Sequence, residues 1–500
     1  MSCRESLEVP LSSVRFSHTL KMTEKTNPSL QRSFQFRTLK KEQLDKIHQG
    51  SLEILDRTGM RFFHPEALEA FQQAGIKVED SNLVKIHPEK VEWALNTAPA
   101  EISIYDQLGQ PAFTLGDDRS YFGVGSDCMY IYDIETGLRR KAVLNDVIHG
   151  IRLADALPHL DFVMSMFLPS DVPDEAYERH QFKVMLQEST KPIVYVGLEG
   201  ASTRSATKMA AAVSGSLERL SKRPFAINYV NTVSPFHHNQ ESVDRLLYAA
   251  NRNLPTIYAP GNLAGMTSPI TPAGQLALGN AGQLAGLVLS QLIKEGSPFL
   301  RSNPAGGCMD MRSMVNLYSA PDCGPSGWDV ARGQGLPIFG TAGCSDAKIF
   351  DAQAAAEASL SLITNVLGGA HLIHDIGYLD NAMTGSLELA AFCNEVISWL
   401  KSYFKEPEIN SDTLALDLIH DIGPDGTFLE SEHTFRHVFQ AWNPDLFDRK
   451  SYSQWIMEGG STFKERANQE VREILQVHRA QPLDSSTNAV LANLIQENLS

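Results

Sequence analysis

Several things are scarce in this chain, and each absence removes a class of function. Its 500 residues hold 43 lysines and arginines against 59 aspartates and glutamates, a formal charge of -16. No basic stripe runs through them, which argues against nucleic acid as the main partner, because phosphate recognition needs one. The six cysteines, Cys3, Cys128, Cys308, Cys323, Cys344 and Cys393, form no CxxC pair. That argues against a disulfide framework and for reduced thiols in a cytoplasm. No continuous apolar segment occurs in the first 33 residues, so a secretory leader is not expected. The most apolar stretch, LALGNAGQLAGLVLSQLI at 276–293, carries Asn and Gln and reads as a buried helix, not a membrane span. Close carboxylate pairs are also few, which weakens glycosidase-like acid–base chemistry.

What is present has a period. From 38 to 115 the pattern is helical: Leu44, Ile47, Leu52 and Leu55 recur at helix-like intervals, and HPEALEAFQQAG and HPEKVEWALNTAP each open a helix. This is a helical preface, preceded at 1–37 by a polar extension expected to be disordered. From 116 to 405 the chain alternates. Short Val-, Ile-, Phe- and Tyr-rich runs occur at SYFGVG (120–125), DFVMSMF (161–167), KPIVYVG (191–197) and PFAINYV (224–230). Four more follow at PTIYAPG (255–261), PFLRSN (298–303), PIFGTAG (337–343) and AHLIHDIG (370–377). A helical segment follows each, the one near Val330 being short. Eight such units predict an α/β fold, a (β/α)8 TIM barrel; a doubly wound open sheet is the alternative, but no GxGxxG follows a strand. Residues 406–500 predict a helical extension that covers the barrel or makes an oligomer contact.

In such a barrel the reacting groups lie at the C-terminal strand ends. Those positions are rich in amides, aromatics and small residues. Tyr121 and Phe122 are candidates to offer ring faces to a cation, an interaction worth about 2 kcal/mol when desolvated. His371 and His374, three apart on a strand, should point to opposite sides; His374 is expected at the mouth, with Asp375 and Tyr378 following it. Asp346 and Asp351 beside an alanine-rich helix are what capping alone would select. Glu395, on an apolar helix face, is expected to be a structural acceptor. Cys308, Cys344 and His374 form an alternative three-ligand zinc set that would activate a thiol substrate.

The segment GLPIFGTAGCSDAKIFDAQAAAEASLSLITNVLGGAHLIHDIGYLD resembles the hallmark region of the trimethylamine methyltransferase family, a methanogenesis-related group of corrinoid-dependent enzymes. DIETGLRRKAVLNDVIHGIRLADALPHLDFV, GNLAGMTSPITPAGQLALGNAGQLAGLVLSQLIKEGSP and HTFRHVFQAWNPDLFDRKSYSQWIMEGG extend the resemblance over about residues 40 to 480. It implies a TIM-barrel enzyme that passes a methyl group from a methylated amine to the cobalt of a separate corrinoid protein. Archetypal members carry pyrrolysine; every position here is a standard residue, and the counterpart position is expected around 339–345. The resemblance is therefore to the branch that demethylates quaternary amines such as glycine betaine.

In that reading Tyr121, Phe122, His374 and Tyr378 line a cation pocket and Asn228, Asn231 and Asn262 orient the substrate. His374, Asn228, Asn303 and Arg312 are the candidates to meet a carboxylate. Ser386 and Asn394 depart from the family pattern, where an aromatic and an acid are expected, so the cage is expected to differ on that side. No corrinoid-binding DxHxxG motif is present, which places cobalamin on a partner protein. A betaine-binding protein without turnover is the non-enzymatic alternative.

Overall fold

The computed structural model describes residues 30–31, 36–125, 127–318 and 324–496. Seven parallel strands form its centre: β1 (Arg119–Val124), β2 (Ile193–Val196), β3 (Ala226–Thr232), β4 (Thr256–Pro260), β5 (Phe299–Ser302), β6 (Ile338–Thr341) and β7 (Leu372–Ile376). They pair in the order β1-β7-β6-β5-β4-β3-β2. The ring closes through the run 161–167, where Phe162 bridges Gly123 of β1 and Val163 bridges Ile193 of β2. The expected second strand is thus reduced to isolated bridges. Its ladder is consumed at one end: the Phe122 carbonyl accepts from both Asp161 N at 2.6 Å and Phe162 N at 3.2 Å, and the Asp161 carboxylate takes the Phe122 amide at 2.9 Å.

Eight helices follow the eight staves, as a (β/α)8 barrel requires: α1 (Leu144–Ala156), α2 (Tyr177–Glu188), α3 (Gly200–Ser214), α4 (Gln240–Asn251), α5 (Pro272–Ile293), α6 (Gly324–Arg332), α7 (Ala352–Gly368) and α8 (Leu387–Tyr403). By length and composition α5 could cross a membrane, yet 83% of its most apolar window is buried inside the fold. It presses so closely on the barrel because glycines interrupt it. A Cβ at Gly286 would lie 2.2 Å from the Tyr258 ring of β4, and one at Gly279 would lie 2.0 Å from the Pro304 carbonyl.

Alternate residues of each strand face inward. Tyr121, Val194, Ile227, Ile257, Leu300, Phe339 and Leu372 pack together inside the barrel with Ile102, Ile104, Phe113 and Leu115. Those last four belong to the hairpin Ile102–Tyr105/Pro111–Leu115, which fills the barrel's N-terminal end. The outward residues include Arg301, which is 2% exposed. It is cradled by amides: its Nη2 donates to Asn280 Oδ1 at 2.9 Å and its Nε to Gln283 Oε1 at 3.2 Å. Desolvation lowers the Arg301 pKa to about 9.

The preface contains the expected helices, Lys41–Glu53, Pro65–Gln73 and Pro88–Thr97, the last two opening on proline as that residue's fixed φ favours. It also holds a sheet, Met60–Phe62, Lys77–Glu79 and Leu83–Lys85, joined by His237–His238 from the loop after β3. The extension anticipated at 1–37 lies outside the described residues except at 30–31 and 36–37; Leu30–Gln31 pairs antiparallel with Ser120 and Arg119. After α8, residues 402–466 contain no buried residue. The helices Phe463–Val477 and Ser485–Gln496 then return to the barrel wall, burying Ala467, Val471 and Leu491.

Replacing Gly286 by alanine should drive a methyl group into the Tyr258 ring. The expected cost is about 1–3 kcal/mol, read as a lowered midpoint in urea denaturation.

Candidate functional site

The loops after β2 to β7 enclose a cavity of about 810 Å³ at the C-terminal end of the barrel. Which side chains reach it follows from strand parity. Tyr229, Phe339 and His374 face inward above the apolar filling, and Val196, Ala259, Ser302 and Thr341 accompany them. Three rings form one wall: Phe339 stacks on His374 with centroids 4.1 Å apart, and Tyr229 meets His374 edge-on at 5.8 Å and Phe339 at 5.1 Å. The Tyr229 hydroxyl accepts from Asn231 Nδ2 at 3.2 Å. Burial raises the Tyr229 pKa to about 12, so at neutral pH the ring keeps its proton. Tyr318, Tyr378 and Trp328 add aromatic surface to the same cavity.

Two acids line the cavity, Glu357, which accepts from Ser345 Oγ and Asp346 N, and Asp375 beside the aromatic wall. Asp375 follows His374 at φ 72°, a left-handed conformation that aspartate tolerates better than most residues. The turn interrupts the ladder between β7 and β1, whose register shifts between Ile373 and Ile376. Gly125 makes the turn possible: a Cβ there would lie 2.2 Å from Asp375 Oδ1. His374 Nδ1 stands 2.7 Å from that oxygen, without the alignment of a hydrogen bond, and its Nε2 is 3.1 Å from Thr341 Oγ1. Asp375 is 3% exposed. Among the described residues no lysine or arginine lies within ion-pair distance of it. A buried carboxylate without a cation is costly, and here it lines a cavity.

Another carboxyl lies next to Asp375. Burial, opposed by hydrogen bonds from Gln181 and Ser165 and reinforced by the charge of Asp375, raises the Asp127 pKa to about 7. Gln181 Nε2 donates to its Oδ1 at 2.9 Å. Glu178, one helix turn before Gln181, is likewise raised to about 7 by burial.

The residues expected at the site divide. His374, Tyr378, Asn231, Asn262, Asn303 and Cys308 line the cavity. Asn262 and Asn303, however, chiefly tie loops together: Asn262 Nδ2 donates to the Gln275 and Pro304 carbonyls at 3.0 and 2.6 Å, and Asn303 spans Gly324 O and Ala305 N. Asn228 is one residue out of phase with Tyr229, so it points into the layer between sheet and helices, 1% exposed, and does not reach the cavity.

Tyr121 and Phe122 lie at the other end. The register sets Tyr121 opposite Leu372, two residues before His374, and Tyr121 stacks on Phe113 of the closing hairpin at 4.4 Å. Phe122 faces outward, its ring 5.9 Å from Lys401 Nζ. The mouth end of β1 is instead Gly125 and Asp127. Arg312 is a solvent-exposed partner of Asp310 at 3.3 Å. Cys344 is 1% exposed and its thiol is raised far above its ordinary pKa by burial; Cys308, Cys344 and His374 do not converge on a common metal position.

Ser386 and Asn394 are structural. Ser386 caps α8 by accepting from Leu389 N at 3.2 Å, and Asn394 Oδ1 accepts from His159 N at 3.0 Å; neither lines the cavity. Glu395 accepts from Leu446 N and Phe447 N, and Asp351 caps α7. His371 Nδ1 accepts from Ile338 N at 3.0 Å, on the opposite side of the strand from His374. Asp375 follows His374 at the mouth as expected, whereas Tyr229, Phe339 and Asp127 fall on the expected strand ends without having been singled out as site residues. Tyr229 and Phe339 could have been found by stepping back two positions from Asn231 and Thr341.

A family model described as Trimethylamine methyltransferase (MTTB) matches residues 13–498. The chain is 30% identical over 461 residues to trimethylamine methyltransferase MttB of Desulfitobacterium hafniense (strain DSM 10664 / DCB-2), covering 91% of this chain and 92% of that protein. It is 29% identical over 468 residues to the glycine betaine methyltransferase of D. hafniense (strain Y51), with 92% and 97% covered. In fold it is similar to the monomethylamine methyltransferase (MtmB) of Methanosarcina barkeri, with a TM-score of 0.50, 12% identity and 88% of each chain covered.

Asp127 and Glu178 set a pH dependence. In the folded chain both keep their protons up to about pH 7, whereas in the unfolded chain they lose them near pH 4. Their contribution to stability is therefore complete below about pH 4 and is lost as the pH rises through 7. Asp127→Asn is expected to lessen the fall in Tm between pH 5 and pH 8, measured by calorimetry.

Proposed function

The chain belongs to the trimethylamine methyltransferase family and is a methyltransferase, and from that premise we propose that its donor is a quaternary amine and its acceptor the cobalt of a separate corrinoid protein. The observation that carries the donor is Asp375: a buried acid with no lysine or arginine beside it, on a cavity walled by Tyr229, Phe339, Tyr318 and Tyr378. A permanent cation supplies what Asp375 lacks, since Arg245, which also lines the cavity, spends its Nη1 on the Gly197 and Tyr229 carbonyls. Ring faces attract a desolvated ammonium by about 2 kcal/mol, and the carboxylate adds a charge that the low dielectric strengthens. One of the similar proteins is named for glycine betaine, which agrees with such a cation.

All 500 positions are standard residues, so the chain itself has no pyrrolysine with which to capture an amine. A quaternary amine does not require capture. Its nitrogen already carries the positive charge, and loss of one methyl releases a neutral tertiary amine, so no general acid has to protonate a leaving group. The corrinoid, when docked, supplies a cobalt nucleophile of the required strength. The protein's share is positional: Tyr229, Phe339 and Asp375 hold the ammonium, Thr341 and the stacked Phe339 ring fix the imidazole of His374, and the aromatic wall keeps water from the methyl groups.

The rim of the cavity fits an acceptor on another protein. Leu198, Val233 and Leu360 line the mouth and are 60%, 63% and 60% exposed, more apolar surface than a mouth serving only small polar substrates needs. These three side chains would face the docked partner. The reaction is assigned to the cytoplasm, where the thiols Cys128, Cys344 and Cys393 stay reduced.

Purified protein given cob(I)alamin and, in parallel, glycine betaine, proline betaine, carnitine, choline and trimethylamine should release a tertiary amine from at least one quaternary donor and no dimethylamine from trimethylamine. Asp375→Asn should lower kcat/KM about 100-fold, or roughly 3 kcal/mol. Absence of a tertiary amine from every quaternary donor overturns the reading, and calorimetric binding without product would leave a binding protein in its place.

A further inference from the structure

The stretch 402–466 has no fully buried residue, and the side chains by which it packs on the core, Phe404, Leu446, Phe447 and Phe463, lie outside the helices Ser411–Leu414 and Glu432–His437. Polar side chains converge within it. Asp412 stands on the helix Ser411–Leu414, and His433 and His437 stand on the helix Glu432–His437, four residues apart and so on one face. The two imidazole centroids are 4.3 Å apart. His437 Nε2 lies 3.0 Å from Asp412 Oδ2, and His433 Nε2 lies 3.0 Å from the Asp412 main-chain oxygen. One ligand atom from each residue falls within 4.8 Å of the other two, and among the described residues no other group of three His, Cys, Asp or Glu does so.

An ion pair alone accounts for part of this. Arg436 Nη2 donates to Asp412 Oδ1 at 3.0 Å and its Nη1 to Oδ2 at 3.3 Å, which satisfies the carboxylate's charge. It leaves two imidazoles that the pair does not need, both turned to Asp412, His437 to its carboxylate and His433 to its main-chain oxygen. Two imidazole nitrogens and one carboxylate oxygen make up the donor set of first-row divalent metals, with a water or another group completing a tetrahedron around zinc. The 3.0 Å between His437 Nε2 and Asp412 Oδ2 is close to the separation of two ligands bonded at about 2 Å to one tetrahedral ion, roughly 3.3 Å. With Oδ2 on the metal, Arg436 would remain on Oδ1 and orient the carboxylate from outside, as outer partners of metal ligands do.

We propose that Asp412, His433 and His437 bind a divalent first-row transition metal, and that the ion clamps the helix Ser411–Leu414 to the helix Glu432–His437. The site is independent of the methyl-transfer reading. It joins two ends of a loop of about twenty residues, and closing such a loop stabilises it by removing chain entropy. What the exposed segment lacks in apolar burial the ion provides in coordination.

The test is calorimetric titration of the chelator-treated, full-length protein with zinc chloride. One zinc per chain is expected, together with slower trypsin cleavage within 402–466 on zinc addition. The double variant His433→Ala/His437→Ala should bind at least 100-fold more weakly and show no zinc-dependent protection, with an unchanged far-UV circular dichroism spectrum. Should that variant misfold, Asp412→Asn serves the same comparison. No stoichiometric zinc uptake by the native chain, or equal uptake and protection in a folded variant, overturns the assignment.

Discussion

The seam between β1 and β7 is the contact on which the site depends. Leu372 and Ile373 pair in regular register with Tyr121 and Phe122, and then the ladder breaks. At the break Asp375 turns through a left-handed conformation and lays its carboxylate where any side chain at position 125 would have stood. The same closure that completes the barrel therefore sets Asp375 beside the aromatic wall. A strand that ran straight to Ile376 would alternate His374 in and Asp375 out, burying the acid behind the sheet. The bulge places both residues on the cavity, and the Phe339 ring then fixes the imidazole plane.

The architecture was legible because it is written in a period. Each stave is a short apolar run bounded by glycine or proline, each followed by a helical repeat, and those signals do not depend on tertiary context. The exception, 161–167, is instructive. Its composition is that of a strand, but an aspartate at its start hydrogen-bonds the neighbouring backbone and takes the place of a ladder.

The site was legible only in part, for two physical reasons. A run such as SYFGVG does not say which of its ends meets the mouth residues of its neighbour; register does, and it assigned Tyr121 to the hairpin end. Parity likewise separates Asn228 from Tyr229 and Asn231, but its phase is fixed only once one inward residue is known. Amides were a weaker guide than aromatics, since Asn262 and Asn303 spend their hydrogen bonds on loop geometry. The φ of Asp375 could not be read at all, because nothing local to HLIHDIG marks the fourth residue of β7 as left-handed.

The hairpin Ile102–Tyr105/Pro111–Leu115 has a further consequence. By filling the N-terminal end of the barrel with Ile104, Phe113 and Leu115, it makes the interior a chamber entered from the loop side. Small molecules and any larger partner must then share that entrance. If a protein seats on the rim as proposed, it covers that entrance, and the small substrate would then have to enter first and its remnant leave last. Under that docking the order of events follows from a plug at the far end, without any moving part.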